Sequence, residues 1–175
     1  MECAILGGGC FWCLEPVFRA LAGVRDVQPG YCGGETPSPS YRQVCAGDTG
    51  HVEVVQVLFD PGQLSYRTLL DVFFGIHDPT TPDRQGNDVG PQYASVIFYQ
   101  DSRQHQVAQD TLAQAQTYFD APICTRIQAA GVFWPAEADH QDYYRRNPDQ
   151  GYCRLVISPK MAKFRQRYAR LLRLD

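Results

Sequence analysis

Hydrophobic and polar positions form blocks along this chain that predict strands and helices in turn. The apolar run over Glu2–Gly8 predicts a first strand, and apolar residues at helical spacing over 12–21 predict a first helix. Pro16 is expected in the first turn of that helix, where a missing backbone N–H costs nothing. Three glycines and Cys10 therefore lie in the predicted turn between the first strand and the first helix.

The rest of the pattern predicts a second, interleaved set of elements. These are a strand over 24–33, a loop over 35–48 with one helical turn near Tyr41, a strand over 51–59, a helix capped by Ser65 through 76, a long loop over 77–92, a strand over 93–99, a helix capped by Asp101 to about 119, a strand over 124–130, and short helices over 135–146 and 159–172. Two β-α-β units predict an α+β fold, a layered α/β sandwich with a ferredoxin-like core and an irregular C-terminal region. We expect one domain over 1–175.

Composition and charge narrow the class of protein. The chain has 175 residues and a formal net charge of −3, which gives no basic footprint for nucleic acid. We expect a globular protein that is a monomer. No apolar run approaches the length of a membrane span, and the chain starts almost directly with a strand, so we expect no leader and a cytoplasmic location. Seven cysteines, an odd number and widely scattered, favour reduced thiols over a disulfide scaffold.

Cys10 is the first candidate for chemistry. A thiol at a helix N-terminus is expected to have a lowered pKa, because free N–H groups and the helix dipole stabilise its thiolate. Cys13 completes a C-x-x-C pair, which favours redox use in a reducing compartment, although Cys13 could also be a packing residue. Cys153 lies in a segment expected to be flexible, and a mobile thiol there is suited to reach a distant one.

Glu53 is the second candidate. On its strand it shares a face with Val55 and Val57, and a partly desolvated carboxyl has a raised pKa and can donate a proton near neutral pH. The alternative is a strand-end glutamate exposed to water. Polar residues in or beside loops, namely Tyr41, Asp88, Tyr93 and His140, fit a site or an ordinary surface equally well on pattern alone.

Several motifs, in order along the chain, carry a resemblance to a known family. They are GCFW at 9–12, GYCGG at 30–34, PSY at 39–41, GDTGHVE at 47–53, HDP at 77–79, RQGND at 84–88, QY at 92–93 and GYC at 151–153. Together they closely resemble the peptide methionine sulfoxide reductase A family, over residues 5 to 153. The resemblance implies a thiol-dependent oxidoreductase that repairs oxidised proteins and acts on the S epimer of the sulfoxide.

The resemblance also implies a role for each matching residue. Cys10 would attack the sulfoxide sulfur and Glu53 would protonate the departing oxygen. Tyr41 and Tyr93 would hold that oxygen, and Asp88 would order the same polar cluster. The substrate's terminal methyl would lie in a pocket formed by Phe11 and Trp12.

Turnover requires that the oxidised nucleophile is reduced again. The product at Cys10 is a sulfenic acid, which condenses with a second thiol to give a disulfide. By position Cys153 matches the recycling cysteine of the family, so we favour it as the resolver, with Cys13 as the alternative. The resemblance implies thioredoxin as the reductant, replaced by dithiothreitol in vitro, and we expect no bound cofactor and no metal.

Three other readings compete with this one. A thioredoxin-like or peroxide-reducing enzyme would use Cys10 with Cys13. A cysteine hydrolase would pair Cys10 with His51 or His140. A zinc-binding or redox-sensing module would use the cysteines without catalysis.

Overall fold

The structure is a computed structural model that describes residues 1–174. The strands, in chain order, are β1 (Glu2–Gly8), β2 (Val24–Cys32), β3 (Val52–Phe59), β4 (Arg84–Gln85), β5 (Asp88–Val89), β6 (Ser95–Tyr99), β7 (Arg126–Ala129) and β8 (Trp134–Pro135). The helices are α1 (Phe11–Arg19), α2 (Tyr41–Cys45), α3 (Tyr66–Gly75), α4 (Ser102–Gln116), α5 (Tyr143–Arg146) and α6 (Ser158–Arg167), with 3-10 turns at Pro91–Tyr93, Ala138–His140 and Ala169–Leu171 and a π-helical turn at Cys153–Ile157.

One mixed sheet organises the molecule. Its strand order is β7-β6-β1-β3-β2-β8, and β4 pairs with β5 in a separate small hairpin. The four central strands β6, β1, β3 and β2 pair antiparallel with one another, while the outer strand β7 runs parallel to β6. Two split β-α-β units interleave in this way, which confirms the predicted α+β fold with a ferredoxin-like core.

The two faces of the sheet carry separate apolar clusters. The larger cluster includes Leu6, Val55 and Val57 with helices α1, α3 and α6, and the smaller one includes Val52 and Val54 on the opposite face. Side chains alternate along β3, so Glu53 lies on the face that α1 covers. This placement was predicted from the pattern, and it brings the carboxyl beneath the start of α1.

Pro16 is a first departure from the predicted elements. It lies inside α1 rather than in the first turn, because the helix already begins at Phe11. Proline in a helix interior costs one backbone hydrogen bond. The complete burial of Leu14, Val17 and Phe18 on the same helix offsets that loss.

The predicted single helix over 135–146 is wrong, because the segment divides into a strand residue, a 3-10 turn and the short helix α5. Pro135 pairs with Gly30 in the sheet, and Asp142 takes a left-handed φ of 55° that interrupts helical backbone. The predicted flexible setting of Cys153 is also wrong, because this residue is fully buried in the π-helical turn that leads into α6. No helix within residues 1–174 combines the length and apolar character required to cross a membrane.

Candidate active site

The turn between β1 and α1 places Cys10. Gly9 has a φ of +96°, and a Cβ there would lie 2.8 Å from the side chain of Gln85, so both conformation and space favour glycine. Cys10 follows as the N-cap of α1, with extended backbone and only 7% of its surface exposed. The sharp turn therefore fixes the sulfur at the helix N-terminus.

Glu53 lies directly beside that helix start. The backbone N–H of Phe11 donates a hydrogen bond of 3.1 Å to Oε1, while the other carboxyl oxygen, Oε2, is buried and has no hydrogen-bond partner among residues 1–174. Burial raises the pKa of Glu53 to about 8, the Phe11 N–H opposes this shift, and the charges of Asp88 and Cys13 add to it. The raised pKa predicted for Glu53 agrees with this geometry, and the carboxyl is largely protonated at neutral pH.

Cys10 and Cys13 titrate as a pair. Burial raises the pKa of Cys10 well above its ordinary value, and a hydrogen bond with Cys13 and the charge of Glu53 raise it further. The same hydrogen bond lowers the pKa of Cys13 to about 7, against the effect of burial. The lowered pKa expected at Cys10 is thus found at its neighbour, since the helix N-terminus alone does not compensate for burial.

A short polar chain leads away from Cys13. Its sulfur lies 3.4 Å from the hydroxyl of Tyr152, which donates a hydrogen bond of 2.7 Å to Oδ2 of Asp88. When Cys13 is protonated, its thiol can donate to Tyr152, so the three groups form a path for a proton. Asp88 therefore belongs to the site, and it is linked to Cys13 by way of the Tyr152 hydroxyl.

Two tyrosines lie close enough to Glu53 for its charge to act on them. Tyr41 begins α2, where Ser40 and Gln43 form a capping box. The backbone N–H of Tyr41 donates a hydrogen bond of 2.9 Å to Oε2 of Glu137. Tyr93 ends the 3-10 turn before β6. Burial and the nearby Glu53 charge raise the pKa of both phenols, so they remain hydrogen-bond donors across the physiological range.

An aromatic layer covers the first turn of α1. Trp12 is partly exposed, stacks on Tyr143 with ring centroids 3.8 Å apart and an interplanar angle of 7°, and donates its indole N–H to Nδ1 of His140 at 3.2 Å. Phe11 differs from the expectation of a pocket wall, because its ring has no exposed surface and packs against Tyr31. Trp12 is the member of this pair that can contact a substrate in this conformation.

The two candidate histidine bases of a hydrolase are both engaged elsewhere. His51 accepts a hydrogen bond from the Gly34 N–H at 3.0 Å on Nδ1, and its Nε2 lies 2.7 Å from the Thr36 carbonyl oxygen. The Trp12 indole occupies Nδ1 of His140. Neither ring forms a hydrogen bond with Cys10 in the described chain, so the geometry does not support a Cys-His hydrolase.

Cys153 lies close to the pair but within regular structure. Burial raises the pKa of Cys153, and the charge of Cys13 raises it further. Cys153 forms no hydrogen bond with Cys10 among residues 1–174, whereas the Cys13 N–H donates to the Cys10 carbonyl oxygen at 3.0 Å and the two thiols share a hydrogen bond. Within residues 1–174 no cluster of three or more His, Cys, Asp or Glu side chains could hold a metal ion.

A cavity of about 930 Å³ opens beside the two sulfurs. Both Cys10 and Cys13 line it, together with Asp88, Tyr152 and Lys160. The pattern offered no signal for Tyr152 as a site residue except its place in the GYC motif, and none for Lys160, because both reach the site from the distant C-terminal segment.

Comparisons with known proteins agree with the resemblance. The profile of the family described as peptide methionine sulfoxide reductase matches residues 2–172. A relative from Chromobacterium violaceum, named peptide methionine sulfoxide reductase MsrA, is 60% identical over 174 residues, which cover 98% of this chain and 99% of the relative.

Two solved structures are similar as well. Reduced Mxr1 from Saccharomyces cerevisiae superposes with a TM-score of 0.81 at 36% identity, over 87% of this chain and 88% of that one. Mxr1 in complex with Trx2 gives a TM-score of 0.57 at 25% identity, over 81% and 84% of the two chains.

Proposed function

Since the chain belongs to the peptide methionine sulfoxide reductase family, we propose that it reduces the S epimer of methionine sulfoxide to methionine, and so repairs oxidised proteins. The observation that carries this function is the buried Glu53 carboxyl beside the Cys10 turn. Its raised pKa keeps a proton on a group that has one unpartnered oxygen. A sulfoxide oxygen leaves only once it is protonated, so a neutral acid beside a thiol is the required pair.

The first step transfers the sulfoxide oxygen to the Cys10 sulfur through a transient bond between the two sulfur atoms. Cys10 gives its thiol proton to the neighbouring Cys13 thiolate. The Cys10 thiolate then attacks the sulfoxide sulfur while Glu53 gives its proton to the oxygen, and the hydroxyl group passes to the Cys10 sulfur as the bond between the two sulfur atoms breaks. Tyr41 and Tyr93 donate hydrogen bonds to that oxygen, and the face of Trp12 contacts the substrate's methyl group. The products are methionine and Cys10 sulfenic acid, so the substrate sulfur is reduced by two electrons and the Cys10 sulfur is oxidised by two.

The second step removes the sulfenic acid. We assign it to Cys13, because its sulfur contacts Cys10 and its pKa of about 7 makes a thiolate available. The thiolate attacks the Cys10 sulfur, hydroxide leaves and takes up a proton to give water, and a Cys10–Cys13 disulfide remains. Cys153, favoured as resolver by sequence, is fully buried, and burial and the charge of Cys13 raise its pKa, so its role as resolver stays a prediction that Cys153→Ser tests.

The third step returns the enzyme to its reduced state. A dithiol protein, thioredoxin, would reduce the disulfide and become oxidised itself. Support comes from the similar Mxr1 structure solved in complex with Trx2. All seven cysteines of this chain are free thiols in the structure, and the cytoplasmic location remains a prediction.

One experiment tests the whole cycle. Purified S and R epimers of a peptide-bound methionine sulfoxide are supplied with dithiothreitol or with thioredoxin, for the wild type and for Cys10→Ser, Cys13→Ser and Cys153→Ser. Cys3→Ser is the matched control, because this thiol lies on β1 and does not line the cavity beside the two active-site sulfurs.

The variants separate the roles. We expect the wild type to consume the S epimer alone, Cys10→Ser to lose all activity, and Cys13→Ser to lose mainly the thioredoxin-driven activity. A selective loss in Cys153→Ser with normal Cys13→Ser would assign the resolving step to Cys153. A wild type that reduces peroxides but neither epimer would favour the thioredoxin-like alternative.

A further inference from the structure

The cavity beside the two sulfurs carries a positive stripe. Lys160, Lys163 and Arg167 all line it, and their spacing of three and four residues places them on one face of α6. Asp88 is the one carboxylate among the lining residues of the described chain, and it accepts the Tyr152 hydroxyl. The cavity therefore carries a net positive lining on a chain whose net charge is −3.

The same cavity exposes apolar surface. Leu155 is 78% exposed and Val156 is 40% exposed, and both lie in its lining, two and three residues after Cys153. An exposed leucine beside a cluster of cations is typical of a surface that binds another protein, where an apolar centre is surrounded by charges.

The position of this surface decides what it binds. Both Cys10 and Cys13 line the cavity, whereas Glu53, Tyr41 and Tyr93 do not. A sulfoxide must meet Cys10 together with Glu53 and the two tyrosines, and since those three lie outside the lining, we place its path on the other side of Cys10. A reductant must reach the sulfur of Cys13, and the cavity leads to that atom.

We propose that the α6 stripe and Leu155 form the docking surface for the protein dithiol that reduces the Cys10–Cys13 disulfide, and that this partner presents acidic residues around an apolar rim at its reactive thiol. The proposal rests on the proposed function and specifies how its last step is reached. The opposite charges steer the encounter, and the apolar contact at Leu155 holds the two thiol sites together.

The exchange on this surface balances in atoms and electrons. A partner thiolate attacks the Cys13 sulfur, the bond between Cys13 and Cys10 breaks, and Cys10 leaves as a thiolate. The partner's second thiol then attacks the mixed disulfide, and Cys13 leaves in turn. The partner loses two electrons and two protons, and the enzyme regains two thiols.

The test compares a protein reductant with a small neutral one. Lys163→Glu reverses one charge of the stripe, and Leu155→Ser removes the apolar contact. Arg165→Glu is the matched control, because Arg165 is exposed on the same helix but does not line the cavity. Turnover of a peptide S-sulfoxide is measured with thioredoxin at several concentrations and ionic strengths, and with dithiothreitol.

For Lys163→Glu we expect a rise of about tenfold in the KM for thioredoxin, a weaker salt dependence, and dithiothreitol-driven rates within about twofold of the wild type. Leu155→Ser should raise the same KM without changing its salt dependence, and Arg165→Glu should match the wild type. The proposal is overturned if neither Lys163→Glu nor Leu155→Ser changes that KM. It is overturned equally if the KM for the peptide rises under dithiothreitol, since the cavity would then bind substrate. Absence of sulfoxide reduction by the wild type under either reductant would contradict the proposed function itself.

Discussion

The backbone N–H of Phe11 lies 3.1 Å from Oε1 of Glu53, which ties the buried carboxyl to the residue that follows Cys10. The hydrogen bond uses one oxygen and leaves Oε2 free to carry a proton. A β3 side chain is thereby held in register with the first turn of α1. The acid on β3 and the nucleophile at the start of α1 are thus joined through this one hydrogen bond.

Glu53→Gln keeps the acceptor for Phe11 but removes the transferable proton. General acids contribute a factor of about 10²–10⁴ to rate, and we expect the first turnover to slow by about that factor. Because the pKa of Glu53 is about 8 and the protonated form is active, the wild-type rate of this step should fall as pH rises through 8. Single-turnover methionine release, measured from pH 6 to 10, checks both statements.

The control for Glu53 is another buried carboxyl outside the reacting centre. Glu15 lies on α1, where it pairs with Arg19 at 3.0 Å and accepts the Asp142 N–H at 2.8 Å. Glu15→Gln should keep the single-turnover rate and its decline at alkaline pH. If Glu53→Gln completes the first turnover as fast as the wild type, Glu53 is not the general acid.

Lys160→Met tests the electrostatics of the thiol pair. The Lys160 ammonium lowers the pKa of Cys13, so its removal should raise that pKa above 7. Thiolate absorbance in the ultraviolet should then appear at higher pH than in the wild type, and Lys160→Arg should restore the wild-type curve. Lys163→Met, on the same helix face, is the control. Superimposable titrations of Lys160→Met and the wild type would show that the ammonium does not act on Cys13.

The central framework and the face of Glu53 could be predicted from sequence because they depend on local periodicity. The alternation Glu53, Val55, Val57 survives in the structure, and so do the caps at Ser65 and Asp101. Each is decided by residues a few positions apart, where backbone geometry leaves little choice.

The electrostatics of the thiols could not be predicted in the same way. The pattern shows that Cys10 starts a helix, but the burial that raises its pKa comes from segments distant in sequence. Tyr152 and Lys160 reach Cys13 from more than a hundred residues away. The order of Cys153 likewise depends on tertiary packing of the π-helical turn, which no local signal encodes.

Trp12→Ala tests the aromatic contact for the substrate methyl. The substitution removes the stack on Tyr143 and the hydrogen bond to His140, and with them the exposed aromatic face. We expect the KM for a peptide sulfoxide to rise by about tenfold, in line with about 1–2 kcal/mol for a lost apolar contact. Trp12→Phe keeps a ring for the methyl group and should show a smaller change. A KM that rises equally in both variants would assign the effect to the His140 hydrogen bond.

His77 is a buried histidine beneath the strand that leads to Cys10, and its charge state affects the stability of the fold. It is buried beside the end of β1, where a Cβ at Gly8 would lie 3.2 Å from its ring. Nδ1 lies 2.6 Å from the Phe73 carbonyl oxygen, and Nε2 lies 2.8 Å from the hydroxyl oxygen of Ser95. Burial lowers the pKa of His77 to about 4, so the ring is neutral in the folded protein at neutral pH.

The sign of the pH effect follows from that depressed pKa. Between pH 6.5 and 4 the unfolded chain binds a proton at His77 that the folded protein does not, so stability is complete above 6.5 and is lost as pH falls toward 4. We expect this group to contribute a loss of about 3 kcal/mol over that range. His77→Gln should flatten the free energy of unfolding against pH by that amount in urea titrations, while His105→Gln on α4 should keep the wild-type slope. Parallel profiles for His77→Gln and the wild type would mean that this imidazole can be charged within the folded core.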